Sequence, residues 1–253
     1  NGGNRSTNPF NPRLDFGNVA ATRRLLWNTT ALYDLPFGRG KYFGRGVNRA
    51  TDLLIGGWRL TSIFTWQSGS WLTPYFPGNQ GDPSGTGEGL ASALAGYNLT
   101  YRQVYPDRVP SASMQPQGGR KRLGWVNGQA FACPGDSTWS VGIPCRTGAG
   151  FNADGTPRST DPGATHPLPI GRFGNNQVGS VEGPGLINLN AGLSKSFNIV
   201  EGIRLRVEGT FTNVLNHTNL GNPNMDLSSP TFGWITTNTG GARTGQVAAR
   251  LEF

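Results

Sequence analysis

Few residues in this chain have types and spacings that could do chemistry. Cys133 and Cys145 bracket the segment CPGDSTWSVGIPC. Two cysteines without histidine partners are too few for a structural zinc site. A disulfide closing this loop is the expectation, with a pair of free thiols as the alternative, and a disulfide requires an oxidising compartment. The segment FNADGTPRSTD, Phe151 to Asp161, resembles half of a calcium loop. Asn152 and Asp154 offer side-chain oxygens at a suitable spacing, Gly155 offers the sharp turn, and Asp161 stands where a last ligand would. Gly150 occupies the first ligand position and has no side-chain oxygen, so an ordinary Asp-Gly turn explains the same residues. His166 and His217 both fall in loop sequence, where a lone histidine is usually solvated. The run GTGEG, Gly85 to Gly89, opens no strand–turn–helix that would cradle a phosphate. No G-x-S-x-G, H-E-x-x-H or Walker A motif occurs. The expectation is a protein that is not an enzyme and needs no cofactor.

Composition points to a scaffold with a polar side and long loops. The 253 residues include 39 Gly and 18 Pro, are 35% hydrophobic, and are only 14% charged. An ordinary soluble domain carries about 25% charged residues. What remains is rich in Asn, Thr, Ser and Gly, as suits strands with one polar face and turn-rich connections. Disorder is the competing reading, but 7 Trp, 13 Phe and 6 Tyr oppose it, because disordered chains are poor in aromatics. The net charge of +8 suits either nucleic acid or an anionic membrane surface. Cations gather at Arg39, Lys41, Arg45 and Arg49, and again at Arg120, Lys121 and Arg122. Neither cluster accompanies a base-stacking motif, so nucleic acid is not expected as a partner, and the clusters read as solvated loop charge. No apolar run approaches the roughly 20 residues of a membrane-spanning helix. The chain begins at Asn1 with no signal peptide, which suggests a processed chain or a piece of a longer one.

Five segments show the period-2 alternation of long strands. Between Arg24 and Leu35, the residues Trp27, Thr29, Ala31, Tyr33 and Leu35 share a face. From Trp58 to about Thr73, Trp58, Leu60, Phe64 and Trp66 alternate with Arg59, Thr61, Thr65 and Gln67. From Leu186 to Phe197, Ile187, Leu189, Ala191 and Leu193 oppose Asn188, Asn190, Gly192 and Ser194. From Ile203 to Leu215, Ile203, Leu205, Val207 and Phe211 oppose Arg204, Arg206, Glu208, Thr210 and Thr212. The final stretch GQVAARLEF sets Val247, Ala249, Leu251 and Phe253 against Gln246, Ala248, Arg250 and Glu252. Each segment offers the roughly 9–11 residues a tilted strand needs to cross a bilayer. A soluble sandwich alternates too; strand length and the terminal aromatic favour an antiparallel transmembrane β-barrel portion. A soluble sugar-binding or hydrolytic sandwich would need a convergent polar site, and none is visible.

The connections are very unequal, as in outer-membrane barrels with short periplasmic turns and long extracellular loops. If Phe253 ends at the periplasmic rim, the short connection Asn198 to Gly202 is periplasmic, and 74–185 and 216–244 fall outside. The chain then divides into two strands with a periplasmic connection (1–74), a Gly/Pro-rich extracellular loop region (75–185), and three C-terminal strands (186–253). The connection 36–57 is long for a periplasmic turn. Within it, ATDLLIGG (Ala50 to Gly57) reads as a short helix capped by Thr51 or Asp52. Tyr33, Phe197 and Phe253 would form a periplasmic aromatic girdle, with Trp66 and Trp71 near the outer interface. The aromatics of 75–185, among them Tyr97, Tyr101, Tyr105, Trp125, Phe131 and Trp139, either pack within the loop region or stack on a substrate.

Several motifs, taken in order, resemble one family. WNTTALYDLPFGRGKYF is followed by LLIGGWRLTSIFTWQSGSWLTPY, then WVNGQAF, RFGNNQ and GPGLINLNAGLSKSFNI. IRLRVEGTFTNVLNHTNLGNPN, SSPTFGWITT and GQVAARLEF complete the series. They resemble the C-terminal barrel region of Oar-like TonB-dependent outer-membrane receptors, of the type abundant in Acidobacteria, and cover most of the chain except 75–122. The resemblance implies a barrel of about 22 strands filled by a plug, importing a large substrate under the power of the TonB system. It implies a bacterial outer-membrane location, contact with outer-membrane lipid and lipopolysaccharide, and an assembly signal at Phe253 and, to a lesser degree, Leu251. Five strands cannot close a barrel that needs about eight, and no plug or TonB box is present. The missing wall must come from the rest of a longer receptor or from other copies of the chain. In the second case a released fragment would self-assemble edge to edge, as an oligomeric barrel or an extracellular fibre.

Overall fold

A computed structural model describes residues 11–20, 22–77, 105–134, 139–143, 145, 173–200 and 202–253. The protein is all-β with antiparallel pairing and divides into two compact units. One unit comprises Arg24–Gly69, Gly185–Leu220 and Asn238–Phe253. The other comprises, so far as it is described, Asn1–Arg23, Ser70–Pro184 and Gly221–Thr237.

The first unit is a five-stranded meander. Its long strands are β1 (Leu26–Asp34), β2 (Trp58–Gln67), β3 (Leu186–Val200), β4 (Ile203–Thr212) and β5 (Thr244–Glu252). They pair in chain order, each antiparallel to the next, so β1 and β5 are edges and the sheet is not closed. Directly opposed residues lie on one face, so the register assigns every side chain. One row runs Tyr33, Leu60, Leu193, Gly209, Val247, and the next on that face runs Ala31, Ser62, Ala191, Phe211, Gly245. The other face carries rows such as Asp34, Arg59, Ser194, Glu208, Ala248.

Three strand ends differ from the expectation set by alternation alone. The second strand stops at Gln67 rather than near Thr73, because Ser68-Gly69-Ser70 interrupts the alternation. Trp71 and Leu72 instead pair with Glu182 and Val181 in the other unit. The third strand continues to Val200 through a bulge between Asn198 and Val200. The fourth ends at Thr212, where Asn213 and Asn216 adopt positive φ of 49° and 50°.

The β1–β2 connection contains the helix α1 (Arg49–Ile55). Its N-cap is Asn48, whose side chain accepts the Thr51 N–H at 2.8 Å, rather than Thr51 or Asp52. Asp52 is engaged elsewhere. Its carboxylate accepts the Arg39 N–H at 2.6 Å and pins the preceding loop to the helix. The chain leaves α1 through Gly57, at φ +72°. A Cβ there would meet the Ser196 carbonyl oxygen at 2.7 Å, so only glycine fits this approach.

Among its described residues the second unit has little regular structure. Asp107–Arg108 pairs with Phe131–Ala132, and Trp71–Leu72 with Val181–Glu182. Its core gathers Phe76, Phe131, Val181, Leu227, Phe232 and the disulfide Cys133–Cys145, whose Cα atoms are 5.4 Å apart. Of the two states open to these cysteines, the disulfide is therefore the one formed. Of the loop aromatics, Phe131 meets Phe232 edge-on at 6.0 Å, and Trp139 meets Phe76 edge-on at 5.1 Å. Trp125 donates its indole N–H to the Glu182 carbonyl at 2.9 Å. These three pack within the unit; Tyr97 and Tyr101 lie outside the described residues.

Candidate membrane face and polar lining

The two faces of the five-stranded sheet differ sharply in chemistry. The apolar face carries Leu60, Leu189, Leu193, Val207, Leu205, Val247 and Leu251. Several of these are solvent-exposed: Val247 is 81% exposed and Leu251 45%. A soluble monomer rarely leaves so continuous an apolar surface uncovered. Aromatics border it at both rims. Trp27, Trp66 and Ile187 form one row at the end of the sheet where β2 finishes. Trp58 and Phe197 stand at the opposite end, where Tyr33 also closes β1. From Trp58 to Trp66, at about 3.3 Å per residue and a tilt of about 40°, the band spans about 20 Å. That approximates the apolar height of an outer-membrane barrel wall.

The opposite face is a polar lining. Arg59 grips the Asp34 carboxylate at 2.6 Å and 3.1 Å, across the β1–β2 pair. Arg206 lies 3.4 Å from Glu208, and Arg204 donates to the Asn198 side chain at 3.2 Å. Thr212 and Thr244 share a hydrogen bond at 2.6 Å. Charged and hydroxyl side chains paired along and across these strands suit a water-filled or plugged interior.

Lys195 breaks this division. It stands on the apolar face, opposite Trp58, yet is only 6% exposed. Its ammonium donates to the Leu54 carbonyl at 3.0 Å and to the Gly56 carbonyl. It lies 4.7 Å above the Trp58 ring and 5.2 Å above that of Phe197. The Trp58 indole donates to the same Leu54 carbonyl at 3.0 Å. The C-terminal end of α1, whose last carbonyls lack partners within the helix, thus compensates a charge on an otherwise apolar surface.

Sequence reasoning missed a second set, the asparagine series of TNVLNHTN. Asn213 Oδ1 accepts the His217 N–H at 3.0 Å, while its amide donates to the carbonyls of His217 and Gly241, both at 3.1 Å. Asn216 Oδ1 accepts the Arg243 N–H. Asn219 bonds both backbone groups of Ile187, at 2.8 and 2.9 Å. Three asparagines at a spacing of three thus rivet one end of the sheet. The repeat itself was the available signal.

Tyr33, Trp66, Phe197 and Leu251 lie on the apolar face, and Phe253 follows the last paired residue and is 91% exposed. Trp71 belongs to the other unit, where it pairs with Glu182. Asn152, Asp154 and Asp161 lie outside the described residues. Among the described residues no group of His, Cys, Asp and Glu is placed to hold a metal ion. His217 is exposed.

A sheet with a lipid-compatible face, a polar lining and aromatic rims defines the wall of a membrane β-barrel. The family comparison agrees: the model for the outer membrane beta barrel domain matches residues 1–246, and the chain belongs to that family. The family places the protein in the bacterial outer membrane. No curated protein and no solved structure matches the chain.

Proposed function

We propose that this chain is the C-terminal part of a TonB-dependent outer-membrane receptor that imports a large substrate, with its long connections at the cell surface. The observation that carries the reading is the open, two-faced, five-stranded sheet. It is finished as a wall on both faces and unfinished at both edges, so further strands must continue it. On this reading β1 pairs with preceding strands of the same polypeptide, β5 closes the barrel, and a plug and the TonB system complete the transporter. The chain is a conduit wall and not a catalyst; its partners are lipid, lipopolysaccharide and the rest of the barrel, not nucleic acid.

The same open edges favour one other reading, in which copies of the chain pair edge to edge. Cysteines at Thr30 on β1 and Gln246 on β5 separate the two. In cells making the complete polypeptide, oxidation should give no crosslink between chains. A ladder of crosslinked multimers would instead establish self-assembly. Release of the protein from washed cells in detergent-free buffer would sink the membrane reading altogether.

A further inference from the structure

The β1–β2 connection, residues 35–57, is much longer than joining two adjacent strands requires. It holds four cations, Arg39, Lys41, Arg45 and Arg49, against one anion, Asp52, a net charge of +3 (4 − 1). Asp52 is already engaged by the Arg39 backbone. All four cationic residues are exposed, and among the described residues no ion pair or hydrogen bond engages their side chains. Beside them stand exposed Phe37, Tyr42, Phe43, Leu53 and Leu54. Phe43 stacks with Phe37 at 5.5 Å and meets Tyr42 edge-on at 4.8 Å. Cations beside exposed aromatics and leucines are the composition of a segment lying at a membrane interface.

The location fits. Lys195 and Trp58 tie the end of α1 to the apolar face, so the connection continues the surface that the bilayer covers. Next to it, a cavity of about 580 Å³ is lined by Arg49, Arg204 and Glu252 together with Ile199, Val200 and Phe253. Two arginines against one carboxylate leave the lining cationic on balance, beside aliphatic and aromatic side chains. Arg204 is held by Asn198 and stands directly opposite Glu252, which leaves Arg49 as the cation to be neutralised from outside. This rim also bears the short β3–β4 turn, the type of connection that faces the periplasm in outer-membrane barrels.

We propose that the connection 35–57, together with the cavity beside Arg49, seats the headgroup of an anionic phospholipid of the phosphatidylglycerol class in the periplasmic leaflet. Arg49 and Arg45 meet the phosphate, and the exposed aromatics and leucines lie among the upper acyl carbons. This rests on the membrane reading above, and the two fail separately.

The test is native mass spectrometry of the complete polypeptide in zwitterionic detergent, offered phosphatidylglycerol, phosphatidylcholine or lipopolysaccharide. Phosphatidylglycerol adducts should predominate. Each cation near an anionic lipid surface contributes about fivefold, so Arg45→Gln with Arg49→Gln should reduce those adducts roughly 25-fold. Removing equal charge elsewhere, by Arg120→Gln with Lys121→Gln, should leave them unchanged. Circular dichroism of each variant establishes that the sheet is intact. Equal adducts with phosphatidylcholine, survival of binding in the Arg45/Arg49 variant, or preference for lipopolysaccharide would each overturn the proposal while leaving the membrane reading standing. A chain that stays soluble and folded after detergent removal would overturn both.

Discussion

Placing an arginine on each face of the last strand tests the assignment of the two faces. Val247 lies on the apolar face, three residues from Thr244 and five from Glu252, near the middle of β5. Its row continues through Gly209 and Leu193 to Leu60 and Tyr33. If that face meets hydrocarbon, Val247→Arg places a charge near the bilayer midplane at a cost of about 2–4 kcal/mol. At about 1.36 kcal/mol per decade, the folding equilibrium constant falls roughly 30- to 900-fold. Ala248, one residue on, lies on the polar face directly opposite Glu208. Ala248→Arg should be neutral or should gain up to about 1 kcal/mol from the cross-strand charge pair. The measurement is urea unfolding of each variant in lipid bilayers, followed by tryptophan fluorescence. If the apolar face met water, an exposed Val→Arg change would stay within about 0.5 kcal/mol. Equal midpoints for the two variants would therefore refute the assignment of faces, and with it the barrel-wall reading.

Three further outcomes are expected. Replacing Cys133 and Cys145 with alanine should destabilise the disulfide-bearing unit by about 3 kcal/mol, the value for a loop of this size, seen as a lower thermal midpoint for that unit. Both cysteines are at most 1% exposed, so thiol labelling after reduction should require denaturant. Asn213→Ala should cost about 3 kcal/mol, because it abandons buried backbone partners and forces a left-handed conformation on alanine. Asn213→Gly should cost less, since it keeps the conformation and loses only the hydrogen bonds; urea midpoints of the pair measure both. Tyr75 and Tyr105 should ionise above the ordinary value of 10.0, as both are desolvated, with Asp226 adding to the shift at Tyr75 and Asp15 at Tyr105. Their neutral forms stabilise the fold fully below the unfolded pKa, and that contribution is lost as pH rises through the folded values. Phenolate absorbance across an alkaline titration checks the order.

The strands were legible because alternation is local: the apolar set of Leu186 to Phe197 can be counted without knowing what pairs with it. Partners are not local. Trp71 and Leu72 continue the rhythm of β2 in sequence but pair with Glu182 and Val181, and nothing in a period-2 pattern names that partner. The helix in the β1–β2 connection was visible in ATDLLIGG, yet its cap was not. Thr51, Asp52 and Asn48 are all competent, and only the Arg39 backbone amide that occupies Asp52 decides among them. Gly221–Thr237 joins the disulfide-bearing unit through contacts such as Tyr75 N–H to the Met225 carbonyl at 3.0 Å. That association depends on tertiary packing alone. The apolar face could be read almost completely, and its one charged member could not be explained from sequence. The groups that satisfy Lys195, apart from the nearby Phe197, come from about 140 positions earlier.

That lysine constrains the order of assembly. An ammonium on a lipid-facing surface is expensive unless it is paired or reaches the interface. Here the compensation is supplied by the carbonyls of Leu54 and Gly56 and the ring of Trp58. A third strand entering the bilayer ahead of the β1–β2 connection would carry its charge bare. A helix already wound, or winding as the strand arrives, lowers that cost. The contacts of Lys195 thereby favour a sheet whose first two strands are already joined correctly.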